Sequence, residues 1–239
     1  MSTPFNMYAE RYDSWFESAE GQAIFEIETK CLWHAMGTIQ GRWLEVGVGT
    51  GRVATRLGIS EGIDPSRSML ALAVPRGIHA VQGVAEDLPY VDSSFEGVVM
   101  VTTLCFLGDP VIALSECFRV LNTHGSLVVG IVPAGSAWGK SYTAKARDGH
   151  PLYACAHFQT CEHVVLMCSS VGFLLNIAVS CLLSKPGAPV RSSLHNGIDE
   201  NAGFVVMRFR KKLEIPLKNA AHEASWFVMN MERALGSVP

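Results

Sequence analysis

Nine consecutive residues, Trp43-Leu44-Glu45-Val46-Gly47-Val48-Gly49-Thr50-Gly51, constrain this chain more than any others. A short apolar strand carries an acid near its end, glycines follow at alternate positions, and Arg52-Val53-Ala54 opens a helical pattern. Glycine serves where a backbone must bend sharply or let a ligand approach closely. Strand, glycine turn and helix together begin a βαβ unit, whose open parallel sheet binds ligands beyond the C-terminal ends of its strands. The dinucleotide fingerprint G-x-G-x-x-G fails here, because Arg52 stands at its sixth position, which disfavours a nicotinamide oxidoreductase. Taken alone, the loop is equally consistent with a simple tight turn.

From residue 43 onward, short apolar runs alternate with helical patterns, which predicts an α/β fold around a parallel sheet. Strands are expected at 43–46, 58–63, 79–82, 97–101, 126–132, 174–183 and 204–210. Helices are expected at 52–57 and through Met69, Leu70 and Leu72. A third begins at Asp109-Pro110, where Asp is a good N-cap and Pro fits the first helical position. Another spans Thr160 to Val171 and stops at Gly172. The first forty residues read as helical, with Ile24, Ile27, Cys31, Leu32 and Ala35 at helical spacing and Gly37 as the stop. Residues 133–151 are rich in glycine, aromatics and charge and read as a long loop or lid, and the substrate-facing segment is taken to run on to 159. In the tail, Leu217, Ala221, Ala224, Val228, Met231 and Leu235 form the seam of an amphipathic helix. Packing on its own domain is favoured for that helix, with a homodimer seam as the alternative. The expected organisation is therefore one domain over 1–212, capped by helices over 1–40, and a helical tail over 213–239.

Composition removes several function classes. A net charge of −3 gives no basic face or arm for nucleic acid, and the cluster Arg208, Arg210, Lys211, Lys212 reads as a solvated strand rim. No basic segment followed by an apolar block opens the chain, so no secretory signal is expected. No apolar run reaches the ~20 residues of a membrane span, and a cytoplasmic protein is expected. Seven cysteines without a C-x-x-C argue against a disulfide framework or zinc ribbon. His157, Cys161 and His163 lack a fourth ligand at recognisable spacing, so no metal is expected.

Three further motifs follow the glycine loop. Gly62-Ile63-Asp64-Pro65-Ser66 ends a strand in an acid that can accept both hydroxyls of a ribose, or cap the next helix. Next come Ala85-Glu86-Asp87-Leu88-Pro89-Tyr90 with Asp92-Ser93-Ser94-Phe95-Glu96-Gly97, and then Glu116-Cys117-Phe118-Arg119-Val120-Leu121-Asn122-Thr123-His124-Gly125-Ser126-Leu127. With E-x-G-x-G-x-G at 45–51, these four motifs over 43–132 resemble, in order and spacing, those of class I S-adenosylmethionine-dependent methyltransferases. The resemblance extends from Tyr8 to Lys212. Tyr8 to Phe16 is similar to the Y-D-x-W opening of small stand-alone members, and Phe158-Gln159-Thr160 with Val171-Gly172-Phe173 to the segment around the last helix. Among small-molecule enzymes, the pattern is similar to the branch that includes ubiquinone and menaquinone biosynthesis methyltransferases. Two positions depart from the pattern: Val84 stands where many members carry an Asp, and His124 where they carry a Pro.

The resemblance implies a Rossmann-like, doubly wound sheet of seven mostly parallel strands with the last antiparallel, and S-adenosyl-L-methionine as cofactor. It assigns the methionine end of the cofactor to Glu45, Gly47, Val48, Gly49 and Gly51, and the ribose to Asp64 beside Pro65 and Met69. Adenine falls to Ala85 and Glu86, Thr102 flanks the site, and Tyr12 closes over it. Trp15, Phe106, Trp138, Tyr142 and His150 are expected to face the substrate, with Thr103 and Tyr153 near them. The plain alternative for the aromatics is lid packing, and for His150 a surface position. Methyl transfer from a sulfonium is an in-line displacement in which orientation alone can supply ~7–11 kcal/mol. No indispensable catalytic side chain is therefore expected, and a base is needed only if the nucleophile starts protonated. A small-molecule acceptor is expected. A cofactor-binding regulator without turnover and a protein methyltransferase are the alternatives.

Overall fold

The computed structural model describes residues 4–212, so the predicted tail helix over 213–239 lies outside the described residues. Two helices open the fold, α1 (Pro4–Trp15) and α2 (Ala19–Met36). Ser18 caps α2 by accepting from the Gly21 N–H at 3.0 Å, and Gly37 ends it, as the sequence predicts. Then come β1 (Trp43–Val46), α3 (Arg52–Leu57), β2 (Glu61–Asp64), α4 (Arg67–Ala73), β3 (His79–Gln82) and β4 (Phe95–Val101). The second half holds α5 (Pro110–Val120), β5 (Leu121–Ile131), α6 (Ala137–Arg147), α7 (Cys161–Val171), β6 (Phe173–Cys181), β7 (His195–Asn196) and β8 (Phe204–Lys211). Asp109 caps α5, its carboxylate accepting from the N–H groups of Val111 and Ile112 at 3.1 Å each. Thr160 caps α7 in the same way from His163, and Gly172 terminates it with φ 104°.

The strands form one sheet in the order β3-β2-β1-β4-β5-β8-β6-β7. Strands β1 to β5 pair in parallel, and β8 inserts antiparallel between β5 and β6, with Val128 opposite Arg208 and Val179 opposite Val206. The fold is thus Rossmann-like and mostly parallel, with antiparallel strands at its C-terminal side. The eighth strand, β7, is only His195–Asn196, too short to leave a pattern in sequence. Helices cover both faces. On one, α5 and α7 bury Leu114, Cys117, Val164 and Met167 against Phe95, Phe173 and Phe209. On the other, α2, α3 and α4 bury Ile24, Ile27, Leu32, Leu57 and Leu70. Each fully buried phenylalanine or leucine of this kind stabilises the fold by ~1.5–3 kcal/mol.

Three boundaries differ from expectation. The segment 133–159 is not a loop: it carries α6, capped by Ser136 accepting from Gly139 N–H at 3.0 Å, and a 3-10 turn at Tyr153–Cys155. The helix shows no apolar stripe, since only Trp138 and Gly139 in it are buried, so periodicity could not reveal it. Strand β2 starts at Glu61 because Gly58, at φ 74°, still caps α3. Strand β5 starts five residues early, pairing Leu121 with Phe95 before an irregularity brings Gly97 opposite Ser126.

Candidate cofactor and substrate site

The chain leaves β3 at one edge and returns to β4 beside β1, so strand order reverses between β1 and β4. A crevice opens at such a switch point, beyond the strand ends. The glycine loop forms its floor. Gly47 N–H and Val48 N–H both donate to Ile63 C=O, at 2.8 and 3.0 Å, which pins the loop to the end of β2. Gly47 (φ 77°) and Gly49 (φ 52°) hold left-handed backbone that favours glycine. A Cβ on Gly47 would meet Thr103 Oγ1 at 2.4 Å, whereas a Cβ on Gly49 would point into open space. Asp64 binds both sides of the turn, its Oδ2 accepting from Gly49 N–H at 2.9 Å and its Oδ1 from Ser66 N–H at 2.8 Å. Past β4, Thr102 sits at φ 51°, a conformation that costs a β-branched residue energy and that clusters at ligand sites.

Helix α1 lies over this floor, held by side chains. Asp13 takes two hydrogen bonds from Arg52 at 2.8 and 2.9 Å and one from Arg76 at 2.8 Å; Glu17 also pairs with Arg52. Burial raises the Asp13 pKa, but the bonds from Arg52 and Arg76 outweigh it and hold the carboxyl well below the usual carboxylate range. Arg76 also donates to Thr50 C=O at 2.7 Å, so the clasp reaches the glycine loop itself. Ser66 Oγ donates to Asn6 Oδ1 at 2.7 Å, and the ring of Phe5 meets that of Phe106 edge-on at 5.0 Å. The far wall comes from α6 and the 3-10 turn, where Tyr142 stacks on Tyr153 at 4.6 Å and His150 tilts against Tyr153 at 4.5 Å.

Floor and roof enclose a cavity of about 610 Å³. Of the residues expected to bind cofactor, Tyr12, Gly47, Gly49, Asp64, Pro65, Met69 and Thr102 line it; of those expected to face substrate, Trp15, Phe106, Tyr142 and His150 do, joined by Thr103 and Tyr153. The rest stand elsewhere. Trp138 is 4% exposed in the core and donates from Nε1 to Ser184 C=O at 2.7 Å, so it packs the domain and does not face a substrate. Gly51 starts α3, and Val48 is buried beneath the loop. Ala85 is buried, and Glu86 Oε1 accepts from the N–H groups of Gly108 and Asp109 at 3.2 and 3.4 Å. Glu45 is 2% exposed at the end of β1, and burial raises its pKa well above the usual carboxylate value.

A methyltransferase-domain family model matches residues 44–129, the stretch from β1 through most of β5. The crystal structure of a SAM-dependent methyltransferase of Thermotoga maritima, a possible histamine N-methyltransferase, matches with a TM-score of 0.78 at 35% identity, covering 87% of this chain and 98% of that one. This chain belongs to the S-adenosylmethionine-dependent methyltransferases. By sequence, an uncharacterised protein of Methanocaldococcus jannaschii is 33% identical over 207 residues, 87% of this chain and 98% of its own. An uncharacterised protein of Mycobacterium tuberculosis is 37% identical over 202 residues, 83% of this chain and 70% of its own.

The residues of this methyltransferase fit the donor its family uses. Glu45 Oε2 is buried without a hydrogen-bond partner, a polar group of the kind that a charged ligand or its water satisfies. Above it the bare backbone of Gly49 leaves room for a ligand. Among the described residues no group of three or more His, Cys, Asp or Glu is arranged to hold a metal, and His163 Nδ1 is instead bonded to Gln159 at 2.6 Å. No described helix is long and apolar enough to cross a membrane. Sequence reasoning passed over Phe5, Arg11, Glu28 and Phe158, all of which line the cavity of this methyltransferase. Glu28 sits within the predicted α2 pattern beside Glu20 and Glu26, and nothing local in sequence separates it from those two acids.

Proposed function

We propose that this methyltransferase moves the methyl group of S-adenosylmethionine to a small-molecule acceptor that shares one enclosed cavity with the donor. The observation that carries the reading is the continuity of that cavity: Gly47, Gly49 and Asp64 line one part and Trp15, Phe106, Tyr142 and His150 another. Its volume of about 610 Å³ falls within the ~300–1,000 Å³ typical of small-molecule sites. When bound, the donor supplies a methyl group already activated on a sulfonium. Gly47 and Gly49 would hold its amino-acid end, with Glu45 behind them, and Asp64 its ribose hydroxyls. Tyr12 would cover it from α1, while Pro65, Met69 and Thr102 would bound it at the strand ends. Ala85 and Glu86 would act indirectly, since Glu86 fixes the turn at Gly108 and Asp109. The roof covers part of the cavity, and the aromatic wall would orient the acceptor; alignment of this kind is the main rate contribution available here.

Titration calorimetry with S-adenosylmethionine and with S-adenosylhomocysteine tests the donor site, and both are expected to bind. Transfer of a radiolabelled methyl group into the low-molecular-mass fraction of a cell extract tests the acceptor class. Absence of heat with either ligand would remove the donor assignment; label in protein alone would move the acceptor to a macromolecule; binding without label would favour a regulator.

A further inference from the structure

We propose that Glu28 is the acceptor-side catalytic residue, drawing a primary or secondary amine into the cavity as its ammonium and removing the proton that blocks nitrogen attack. The inference rests on the methyl-transfer reading above and names the acceptor's chemical class.

Glu28 projects from α2 into the cavity, and it makes no hydrogen bond or ion pair among the described residues. Other acids of this region differ from it: Asp13 and Glu17 pair with Arg52, Glu26 pairs with Lys30 at 3.2 Å and Arg56 at 2.9 Å, and Glu10 and Glu20 are exposed to solvent. Glu28 is half-buried, and a carboxyl without a protein partner in the wall of a ligand cavity is a functional candidate. The groups facing it are Tyr12 from α1, Tyr142 from α6, Tyr153 from the 3-10 turn and Cys181 from β6, each of which feels its charge. None is a cation. All four are held protonated, mainly by burial for the tyrosines and mainly by contact with Cys31 for Cys181. Burial alone pushes the Glu28 carboxyl up to about 8.

These surroundings suit an amine. An ammonium would supply a counter-charge to Glu28, and the electron-rich ring of Tyr12, which lines the cavity, adds attraction for a cation. In a desolvated pocket two opposite charges give way readily to the neutral pair of carboxylic acid and free amine. The balance is simple. One N–H proton passes to the Glu28 carboxylate, the nitrogen lone pair forms the N–C bond as the C–S bond breaks, and its electrons leave on the thioether sulfur. The proton on Glu28 then returns to water. An alcohol acceptor would bring no charge to match the carboxylate. His150 carries no negative charge in either protonation state and cannot supply this attraction; burial, Lys145 and Arg11 all favour its neutral form.

The test is calorimetric binding to the full chain saturated with S-adenosylhomocysteine, using primary amines from ethylamine through phenethylamine to tryptamine and their matched alcohols. At least one amine is expected to bind about tenfold or more tightly than its alcohol, as a charge-assisted hydrogen bond would give. In Glu28→Gln that preference should vanish while affinity for S-adenosylhomocysteine stays within about twofold, and Glu28→Asp should restore part of it. Equal binding of amines and alcohols, no binding by any amine, or a preference that survives in Glu28→Gln would each overturn the assignment. So would a Glu28→Gln variant that loses S-adenosylhomocysteine, since Glu28 would then serve the donor. Failure of the unmodified protein to bind S-adenosylhomocysteine at all would instead strike the underlying methyl-transfer reading.

Discussion

At the floor of the cavity, the glycine turn is backbone held mainly by backbone, with Gly47 and Val48 both bonded to Ile63 C=O and the Asp64 carboxylate bracing Gly49. At the roof they belong to side chains held by other side chains, with Asp13 on Arg52 and Arg76, and Phe5 on Phe106. The two constructions fail differently. Floor geometry is set by left-handed φ angles and sheet register, which a single added methyl can upset. Roof geometry is set by charge and aromatic contact, which weaken by degrees with salt, pH or substitution. Under the proposed function, the donor therefore rests on the rigid floor and the acceptor against the roof.

The largest effect that can break this contrast is at Gly49. Gly49→Val places a β-branched residue at φ 52° and fills the open space before it. Donor affinity by calorimetry should fall by a factor of about 100 or more, equivalent to ~2.7 kcal/mol. Unchanged affinity would show that the floor does not hold the donor.

Next is the clasp. Arg52→Ala leaves Glu17 unpaired and Asp13 with Arg76 alone. Loss of these partly buried, charge-assisted bonds should lower stability by ~1–3 kcal/mol in chemical denaturation. The Asp13 pKa is depressed in the folded state, so its contribution is complete above the ordinary value of 3.8 and disappears as pH falls below it. Stabilities of the two proteins should converge in strong acid; a gap that persists there would show that the clasp is not electrostatic.

A smaller effect concerns pH at Glu28. Its folded pKa, near 8, lies above the ordinary 4.5, so it favours folding fully below 4.5 and progressively less as pH rises toward 8. Glu28→Gln should therefore flatten the fall in melting temperature across that window and be relatively more stable at pH 8.5 than at pH 4. Identical pH profiles would show that Glu28 is freely solvated. The smallest effect on ligand binding belongs to Trp138→Phe. It leaves Ser184 C=O without its donor and should cost ~1–3 kcal/mol of stability while donor affinity holds. A loss of donor affinity would return Trp138 to the site.

The same contrast explains what could be read in advance. Strand β1, the glycine loop, Asp64 and the Asp109-Pro110 and Thr160 helix starts depend on neighbours in sequence, so local pattern reveals them. The clasp joins Asp13 to residues 39 and 63 positions away, and no local signal announces such pairs. The place of Trp138 just past β5 predicts a ligand-facing side chain, but helix α6 turns it into the core. Helix α6 itself lacked the apolar stripe that would have declared it. Glu28 was hidden within a helix read only for its apolar residues.

The Asp13–Arg52–Arg76 cluster also bears on exchange. The helix over the cavity is fastened by ions that solvent partly reaches, with side-chain exposures of 15% to 26%. Under the proposed function, ionic strength becomes a throttle: dissolved salt loosens the fastening without touching the glycine turn, so release of spent donor should quicken as salt is added.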